Sequence, residues 1–411
     1  MKAKLNLRYT RLVIIACLAI FLAGLTGFWL GTHDFKIKFG PNPSLKVERK
    51  IPVDKQNIDF SLFWEVWDRL ETNYIDKKAL DQNQMILGAI QGMVASLGDP
   101  YTVFLKPPEN KEIKEDLNGA FEGVGIQLGF KENQLAVIAP LTGTPAYKAG
   151  VKAGDLILKI NDESTTGLSA DEAAKKIRGP KGTKVKLGLL HAGEKEPFDL
   201  ELTRDTILVA SVEVEFVGSG QKLAHLKLLK FGDRTAEEWD KAVNEIFRHQ
   251  PSITGVILDL RNNPGGYLTG SVFIASEFLN SGVVFQQEHA NGTKETFSVN
   301  RAGKLLNQPL LVLINEGSAS ASEIVAGALQ DYKRAKIVGT KSFGKGTIQE
   351  AEDLPGGAGL HITTARWLLS QGGSIDKKGI IPDNEIKDDP QTLEIDEQLQ
   401  KAIEILEVKT K

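Results

Sequence analysis

The 411-residue sequence predicts an α+β protein of several domains, on three observations. An aromatic stripe at helical spacing, from Phe60 to Tyr74, follows a polar, proline-bearing stretch. From Phe121 to Arg204 the texture is short alternating strands and glycine turns. Beyond Arg204, apolar strands feed helices through glycine-bearing loops, which is the rhythm of an α/β core. A chain of this length exceeds one ordinary core, so two or three folded units are expected.

Composition narrows the function. The apolar fraction of 41% and charged fraction of 25% are those of globular protein. A formal charge of -3 lacks the basic surplus of a phosphate-binding domain, so no nucleic-acid partner is expected. The single cysteine, Cys17, excludes an internal disulfide framework and a cysteine-rich metal site. The six histidines are scattered, and no HxxxH pair, EF-hand loop or P-loop occurs. Metal chemistry is not expected.

Taken in order, Lys2, Lys4, Arg8 and Arg11 precede an uncharged, mostly apolar run from Leu12 to Leu30. Its 19 residues are close to the ~20 that span a hydrocarbon core as helix. Residues 1–35 are expected to be a cytoplasmic stub and a single transmembrane anchor in a bacterial-type inner or plasma membrane. The positive flank places the rest of the chain outside, on the periplasmic or extracellular side. A cleaved signal peptide is the alternative. Ile14-Ile15-Ala16-Cys17 loosely fits a lipoprotein box, but the apolar run continues past Cys17.

Residues 36–54, with Pro41, Pro43 and Pro52, suit a linker. Residues 55–117 are a helical region. Phe60, Phe63, Trp64, Trp67, Leu70 and Tyr74 make the first stripe, and Met85, Ala89, Met93 and Leu97 the second, stopped at Gly98-Asp99-Pro100. The aromatic face is expected to be core, a helix–helix contact or a homodimer surface. Residues 118–206 follow, with a capping box at Ser169 and Glu172 opening a helix to Arg178. Residues 207–390 hold the α/β core, and 391–411 a C-terminal helix.

Ser320 stands where the strand Leu310–Ile314 hands over to a helix, among small residues. There the N–H groups of Ser320 and Ala321 favour negative charge. Ser320 with Glu323 also fits a plain capping box. Asn262-Asn263-Pro264-Gly265-Gly266 opens another helix after a buried strand, and its glycines permit close backbone approach. N–H groups converging from two such loops would form an oxyanion hole, although the segment also reads as a simple turn. A nucleophilic serine needs a base. No G-x-S-x-G elbow is present, and Lys345, flanked by Gly344 and Gly346, is the remaining candidate. It can act only if burial makes it neutral near pH 7. Gln349 would orient its amine without adding charge.

The run from Pro145 to Asp162, with the loop Gly123-Val124-Gly125-Ile126 and the Ser169–Arg178 helix, resembles a PDZ domain. The resemblance implies that a peptide C-terminus adds as a strand beside that helix. Its carboxylate would be held by the N–H groups of Gly123, Val124, Gly125 and Ile126. Asp259–Gly266, Gly317–Glu323 and Ser342–Gln349 together resemble the C-terminal processing peptidases, or tail-specific proteases. So do Gly98–Thr102, Leu360–Trp367 and Gly379–Asp383, covering essentially all the chain beyond residue 55. The resemblance implies a crotonase- and Clp-protease-like core with a PDZ domain, and no cofactor or metal. Ser320 would be the nucleophile, Lys345 the base and Gln349 its support. Ala321 would supply one oxyanion donor, and Gly265 or Gly266 the other. Substrates would be proteins with accessible C-terminal tails. By its place at the helix end, Arg178 reads as a dipole partner, or as pairing with a carboxylate across the domain boundary and so coupling peptide binding to opening. A crotonase-type acyl-CoA enzyme would share the core but need neither export signal nor PDZ segment. A peptide-binding scaffold that had lost its chemistry would need neither Ser320 nor Lys345.

Overall fold

The computed structural model describes residues 34–38, 44–48, 57–191, 193–387 and 395–409. The expected anchor at Leu12–Leu30, including Cys17, lies outside the described residues. Among those described, no helix is long and apolar enough to cross a membrane. The chain divides into two compact units, Met1–Met85 and Ile86–Lys411.

In the first unit, strands β1 (Asp34–Lys38) and β2 (Ser44–Glu48) pair antiparallel, with Asp34 opposite Glu48. Residues 36–38 and 44–48 of the stretch expected as a linker are therefore in paired strands. Helix α1 (Ser61–Asn73) carries the aromatic stripe, and none of its residues is buried. Phe63 meets Trp64 edge-on with ring centroids 5.1 Å apart, and Trp67 at 6.0 Å. Phe60, Trp64, Leu70 and Tyr74 remain exposed. Helix α2 (Gln82–Ala95) straddles the division and ends before Gly98, whose φ of +70° suits a left-handed stop.

The second unit begins with the C-terminal half of α2, where Leu87, Ile90 and Val94 pack with Phe104, Leu354 and Ala358. Strand β3 (Val103–Leu105) leads into α3 (Pro107–Leu117), which has proline in its first turn, where no N–H partner is lost. A PDZ-like layer follows. Strand β4 (Ala120–Gly123) precedes β5 (Ile126–Lys131), β6 (Gln134–Pro140), α4 (Pro145–Lys148), β7 (Leu156–Ile160) and β8 (Glu163–Ser164). Helix α5 (Ala170–Ile177), β9 (Lys184–Leu190), β10 (Phe198–Thr203) and β11 (Asp205–Leu208) complete it. The sheet runs β10-β9-β7-β6-β5, while β4 pairs with β11 beside it. Alternation buries Val137, Ile157, Ile160, Leu187 and Leu189 against Ala173 and Ile177 of α5. The expected capping box is made: Glu172 N–H donates to Ser169 Oγ at 3.2 Å, and Ser169 N–H to Glu172 Oε2 at 2.8 Å.

The core then builds from β12 (Val212–Val217), β13 (Leu223–Leu228), α6 (Thr235–Arg248), β14 (Gly255–Asp259) and α7 (Leu268–Phe278). Next come β15 (Val283–His289), β16 (Lys294–Ser298), β17 (Leu310–Ile314), α8 (Ala321–Asp331) and β18 (Lys336–Gly339). Strands β19 (Thr347–Asp353), β20 (Gly359–Leu369) and β21 (Asn384–Glu385), with helix α9 (Glu397–Lys409), close the chain. The main sheet runs β12-β13-β14-β17-β18-β21, parallel from β13 onward. Every residue of β14 and β17 is buried, because both faces are covered. Leu258 and Val312 meet the α6, α7 and α8 side, while Ile257 and Leu311 meet Ala402 and Leu406 of α9. A second, antiparallel sheet, β16-β15-β20-β19, accepts β3 beside β20. The carboxyl ends of β14 and β17 thus stand side by side, where sites gather in such cores.

Candidate active site

The loops leaving β14 and β17 are stitched to each other. Asn262 N–H donates to Asn315 Oδ1 at 2.8 Å, and Asn315 Nδ2 returns a bond to Asn262 Oδ1 at 2.9 Å. Ser318 Oγ donates to Leu260 O at 2.8 Å, and Ser322 Oγ to Asn263 O at 2.9 Å. Both flanking serines are therefore structural. Ser320, between them, is 8% exposed, with φ 56° and ψ -116°. A non-glycine residue in that region is strained and is held there by its surroundings. The Ser320 side chain makes no capping hydrogen bond. Glu323 caps instead, its Oε2 accepting Ser320 N–H at 2.8 Å.

Glu323 reaches further than a cap. Fully buried, it accepts from Lys345 N–H on the same oxygen at 2.9 Å. Its Oε1 accepts from Ser342 Oγ and from Gly344 N–H, each at 2.6 Å. One carboxylate therefore fixes the start of α8 and the Ser342–Lys345 loop together.

Lys345 is also held by its carbonyl, which accepts from Trp367 Nε1 at 2.8 Å. Its Nζ lies over the Tyr101 ring, 5.0 Å from the centroid. Burial pushes the Lys345 pKa below the ordinary lysine value, with Asp99 and Glu323 partly opposing. Among the described residues, no hydrogen bond joins Gln349 to the Lys345 amine. Gln349 Nε2 donates to Thr347 Oγ1 at 2.9 Å and Thr363 Oγ1 at 3.1 Å. The register of β19 against β20 shifts between Ile348 and Gln349, and such a bulge re-aims a side chain.

Ser320, Lys345, Gln349, Gly265 and Gly266 all line one cavity of about 630 Å³. Ile113, Leu117, Leu268 and Ile348 give it an apolar wall, and Glu109, Glu112, Asp116, Lys230 and His361 a polar one. No hydrogen bond joins Ser320 Oγ to Lys345 Nζ among the described residues. The two glycines are not equivalent. Gly265 N–H donates to Asn263 Oδ1 at 2.9 Å, whereas Gly266 N–H and Ala321 N–H have no acceptor among the described residues. A Cβ on Gly265 would lie 2.8 Å from Ser320 Cβ, and one on Gly266 2.1 Å from Phe231 O.

A second groove, of about 220 Å³, lies between β5 and α5 and includes Gly123, Val124, Gly125, Ile126 and Arg178. Gly125 takes φ +78° and fits against Thr144, which a Cβ would strike at 2.4 Å. The carbonyls of Val124 and Gly125 accept from Ala146 and Leu141, both at 2.9 Å. Their N–H groups have no acceptor among the described residues. Arg178 departs from expectation. It caps α5 and lies over the Phe121 ring, 4.6 Å from the centroid, and it makes no ion pair among the described residues. The short Phe121 strand runs beside it and offers a flat partner in place of a carboxylate.

Sequence reasoning missed the breadth of Glu323's contacts, the Tyr101 wall and His361. It also missed a buried network beneath the glycine loop. Asp259 accepts from His225 Nε2 at 3.0 Å and from Arg261 NH2 at 2.7 Å, and Arg261 also pairs with Asp396 at 2.7 Å. Burial raises the Asp259 pKa, but His225 and Arg261 outweigh it and hold the group at about 2. The signal was the charged Asp259-Leu260-Arg261 ending an apolar strand.

A helix-start serine in a strained turn, a half-buried lysine in the same cavity and a separate groove between β5 and α5 fit a serine peptidase with a PDZ domain. Comparison with known proteins makes that specific. Residues 222–386 match Peptidase family S41, 137–190 match the PDZ domain, and 22–107 match the activating protease CtpB N-terminal domain. The carboxyl-terminal-processing protease of Synechocystis sp. is 37% identical over 363 residues, covering 87% of this chain and 84% of that protein. The carboxy-terminal processing protease CtpA of Bacillus subtilis is 36% identical over 319 residues, covering 77% and 67%. A crystal structure of a Bacteroides fragilis protein assigned to the S41 proteases shares the fold at TM-score 0.54. It is 16% identical and covers 84% of this chain and 97% of that one. The chain belongs to peptidase family S41, the carboxyl-terminal processing proteases.

Proposed function

We propose that this peptidase cleaves exported or membrane proteins near their C-termini through a Ser320–Lys345 dyad. The observation that carries the reading is the strained Ser320 at the start of α8, opening into the same cavity as a desolvated Lys345. Ser320 Oγ attacks the scissile carbonyl carbon as Lys345 Nζ takes the hydroxyl proton. The oxyanion is met by the N–H groups of Ala321 and Gly266, Gly265 being committed to Asn263. Lys345 then gives its proton to the leaving amine, and an acyl-enzyme remains on Ser320. Water, deprotonated by the same amine, releases the acid. The apolar wall of Ile113, Leu117, Leu268 and Ile348 suits an apolar residue at the cut.

The substrate tail adds as a strand beside β5, its carboxylate on the free N–H groups of Val124 and Gly125. The basic flank and Leu12–Leu30 run support one membrane anchor with the peptidase outside. The aromatic face of α1, none of it buried, supports a homodimer through the N-terminal helices. The test of the chemistry is product mass spectrometry with parent, Ser320→Ala, Ser318→Ala and Ser322→Ala. Loss of cleavage in Ser320→Ala alone is the expected result. Retained cleavage in Ser320→Ala means that the nucleophile lies elsewhere. Protease shaving of intact cells tests the topology, and protection of residues 36–411 in the cytoplasm would exclude it. Sedimentation of the full chain and of Trp64→Glu tests the dimer.

A further inference from the structure

The Lys345 amine must satisfy two opposed demands. At rest it has to be neutral, yet in the transition state it has to carry the proton of Ser320. A carboxylate against it would secure the second and defeat the first. Gln349, the expected support, is bound to Thr347 and Thr363 instead. The group beneath the amine is an aromatic face, with Lys345 Nζ 5.0 Å from the Tyr101 centroid. A ring face excludes water while offering a weak attraction to a cation.

We infer that Tyr101, on the turn between α2 and β3, is a positioning residue for the Lys345 amine, shielding it when neutral and holding it when protonated. The inference rests on the proposed Ser320–Lys345 dyad. The turn is built to hold the ring in place. Asp99 Oδ1 accepts Tyr101 N–H at 3.0 Å, and Asp99 Oδ2 accepts from Thr102 Oγ1 at 2.7 Å. Thr102 Oγ1 in turn accepts Thr363 N–H at 3.0 Å, which ties the turn to β20. Thr363 is the residue that Gln349 grips. Gln349 thus supports the lysine at one remove, by fixing the strand that carries the Tyr101 turn.

The charged surroundings agree with a neutral wall. Asp99 and Glu323 act on Lys345 from two sides, and Lys345 with burial lowers the pKa of His361 across the cavity. Burial, then Asp376, Glu323 and Asp99, raise the Tyr101 pKa, so the phenol stays protonated where the enzyme works.

The test is the rate of Ser320 labelling by a small fluorophosphonate against pH, on the full chain. Tyr101→Phe keeps the ring and is expected to keep the midpoint of the parent. Tyr101→Leu keeps an apolar wall but loses the cation's partner, so its midpoint falls by roughly half to one pH unit and its rate several-fold. Tyr101→Ala admits water, and its midpoint rises. Leu and Ala variants that both titrate like the parent would overturn the inference, as would a Phe variant that shifts like Ala. Lys345→Ala separates the two readings: if it keeps the parental ionisation, the dyad itself fails, whatever Tyr101 does. Thermal melts identify a variant that has merely unfolded, and the near-isosteric Phe variant with the apolar Leu variant keeps the comparison decisive.

Discussion

Glu323 Oε2 accepts the main-chain N–H of Lys345 at 2.9 Å, so the residue that caps the Ser320 helix also grips the Lys345 loop. The distance between Ser320 and Lys345 is therefore set through one buried carboxylate rather than by contact between the two side chains.

Glu323→Gln is expected to break this arrangement. A glutamine offers one acceptor oxygen to four donors, leaving at least two buried donors unpaired. Each such group costs about 1–3 kcal/mol, and misplacement of a dyad by ~1 Å costs on the order of 10²-fold in rate. Denaturant unfolding and cleavage rate should both fall. The lost charge should also move the pH midpoint of labelling downward, because Glu323 holds the Lys345 pKa up. A melt shift with no change in midpoint would leave Glu323 a purely structural residue.

Lys345 carries a stability consequence as well as a catalytic one. Its pKa is lowered in the folded chain by burial, so the unfolded chain binds more protons between the lowered and ordinary values. Its neutral form is favoured by folding, so stability is expected to rise with pH across that window and to be least below it. Lys345→Met should melt above the parent at neutral pH, with the gap closing as pH approaches the ordinary lysine range. Lys345→Arg should be inactive, because its charge is permanent. Substantial cleavage by the arginine variant would sink the dyad.

Asp259→Asn probes the floor of the glycine loop. It would leave Arg261 and His225 buried beside a neutral amide, and breaking one partner of a buried pair costs roughly 3–5 kcal/mol. The parent's sign is that of a depressed carboxylate. Its contribution is full above the ordinary range near ~4 and is lost as pH falls through about 2. Acid unfolding should therefore lose its steepest part between those values in Asp259→Asn. An unchanged acid limb would place the network outside the cooperative core.

Much of this architecture was legible because some physical constraints act locally. The short apolar runs at Gly255–Leu258 and Leu310–Ile314, each followed by a turn-rich loop, read as strands covered on both faces, and they are. A small-residue turn after such a strand marked Ser320. What stayed hidden depended on where one side chain points. The sequence does not distinguish Gly265 from Gly266, because the bond from Gly265 N–H to Asn263 Oδ1 depends on side-chain direction. The Thr347 and Thr363 contacts of Gln349 could not be read from the sequence, because a bulge in β19 sets the direction of its amide. Arg178 was expected on a carboxylate and lies on Phe121, since a strand's neighbours across a domain are set by tertiary folding.

A small cavity beside Arg178 adjoins both the groove between β5 and α5 and the cleft that holds Ser320. This cavity, of about 50 Å³, is lined by Phe121 and Arg178, which also belong to the groove, and by Glu112, Asp116 and Lys230, which also belong to the cleft. Asp116 and Lys230 are paired across it. A peptide carboxylate entering beside Val124 and Gly125 would compete with the Phe121 ring for the guanidinium. A freed Phe121 could then change the passage toward Lys230. Coupling of this kind is typically worth 1–3 kcal/mol, or roughly 5–150-fold. Amidating a substrate's C-terminus should weaken its cleavage within that range. Arg178→Ala should narrow the difference between free-acid and amidated peptides while leaving fluorophosphonate labelling of Ser320 comparatively intact. Equal cleavage of both peptides by the parent would remove tail recognition from the groove. An Arg178→Ala enzyme that still discriminates fully would move the coupling to another residue.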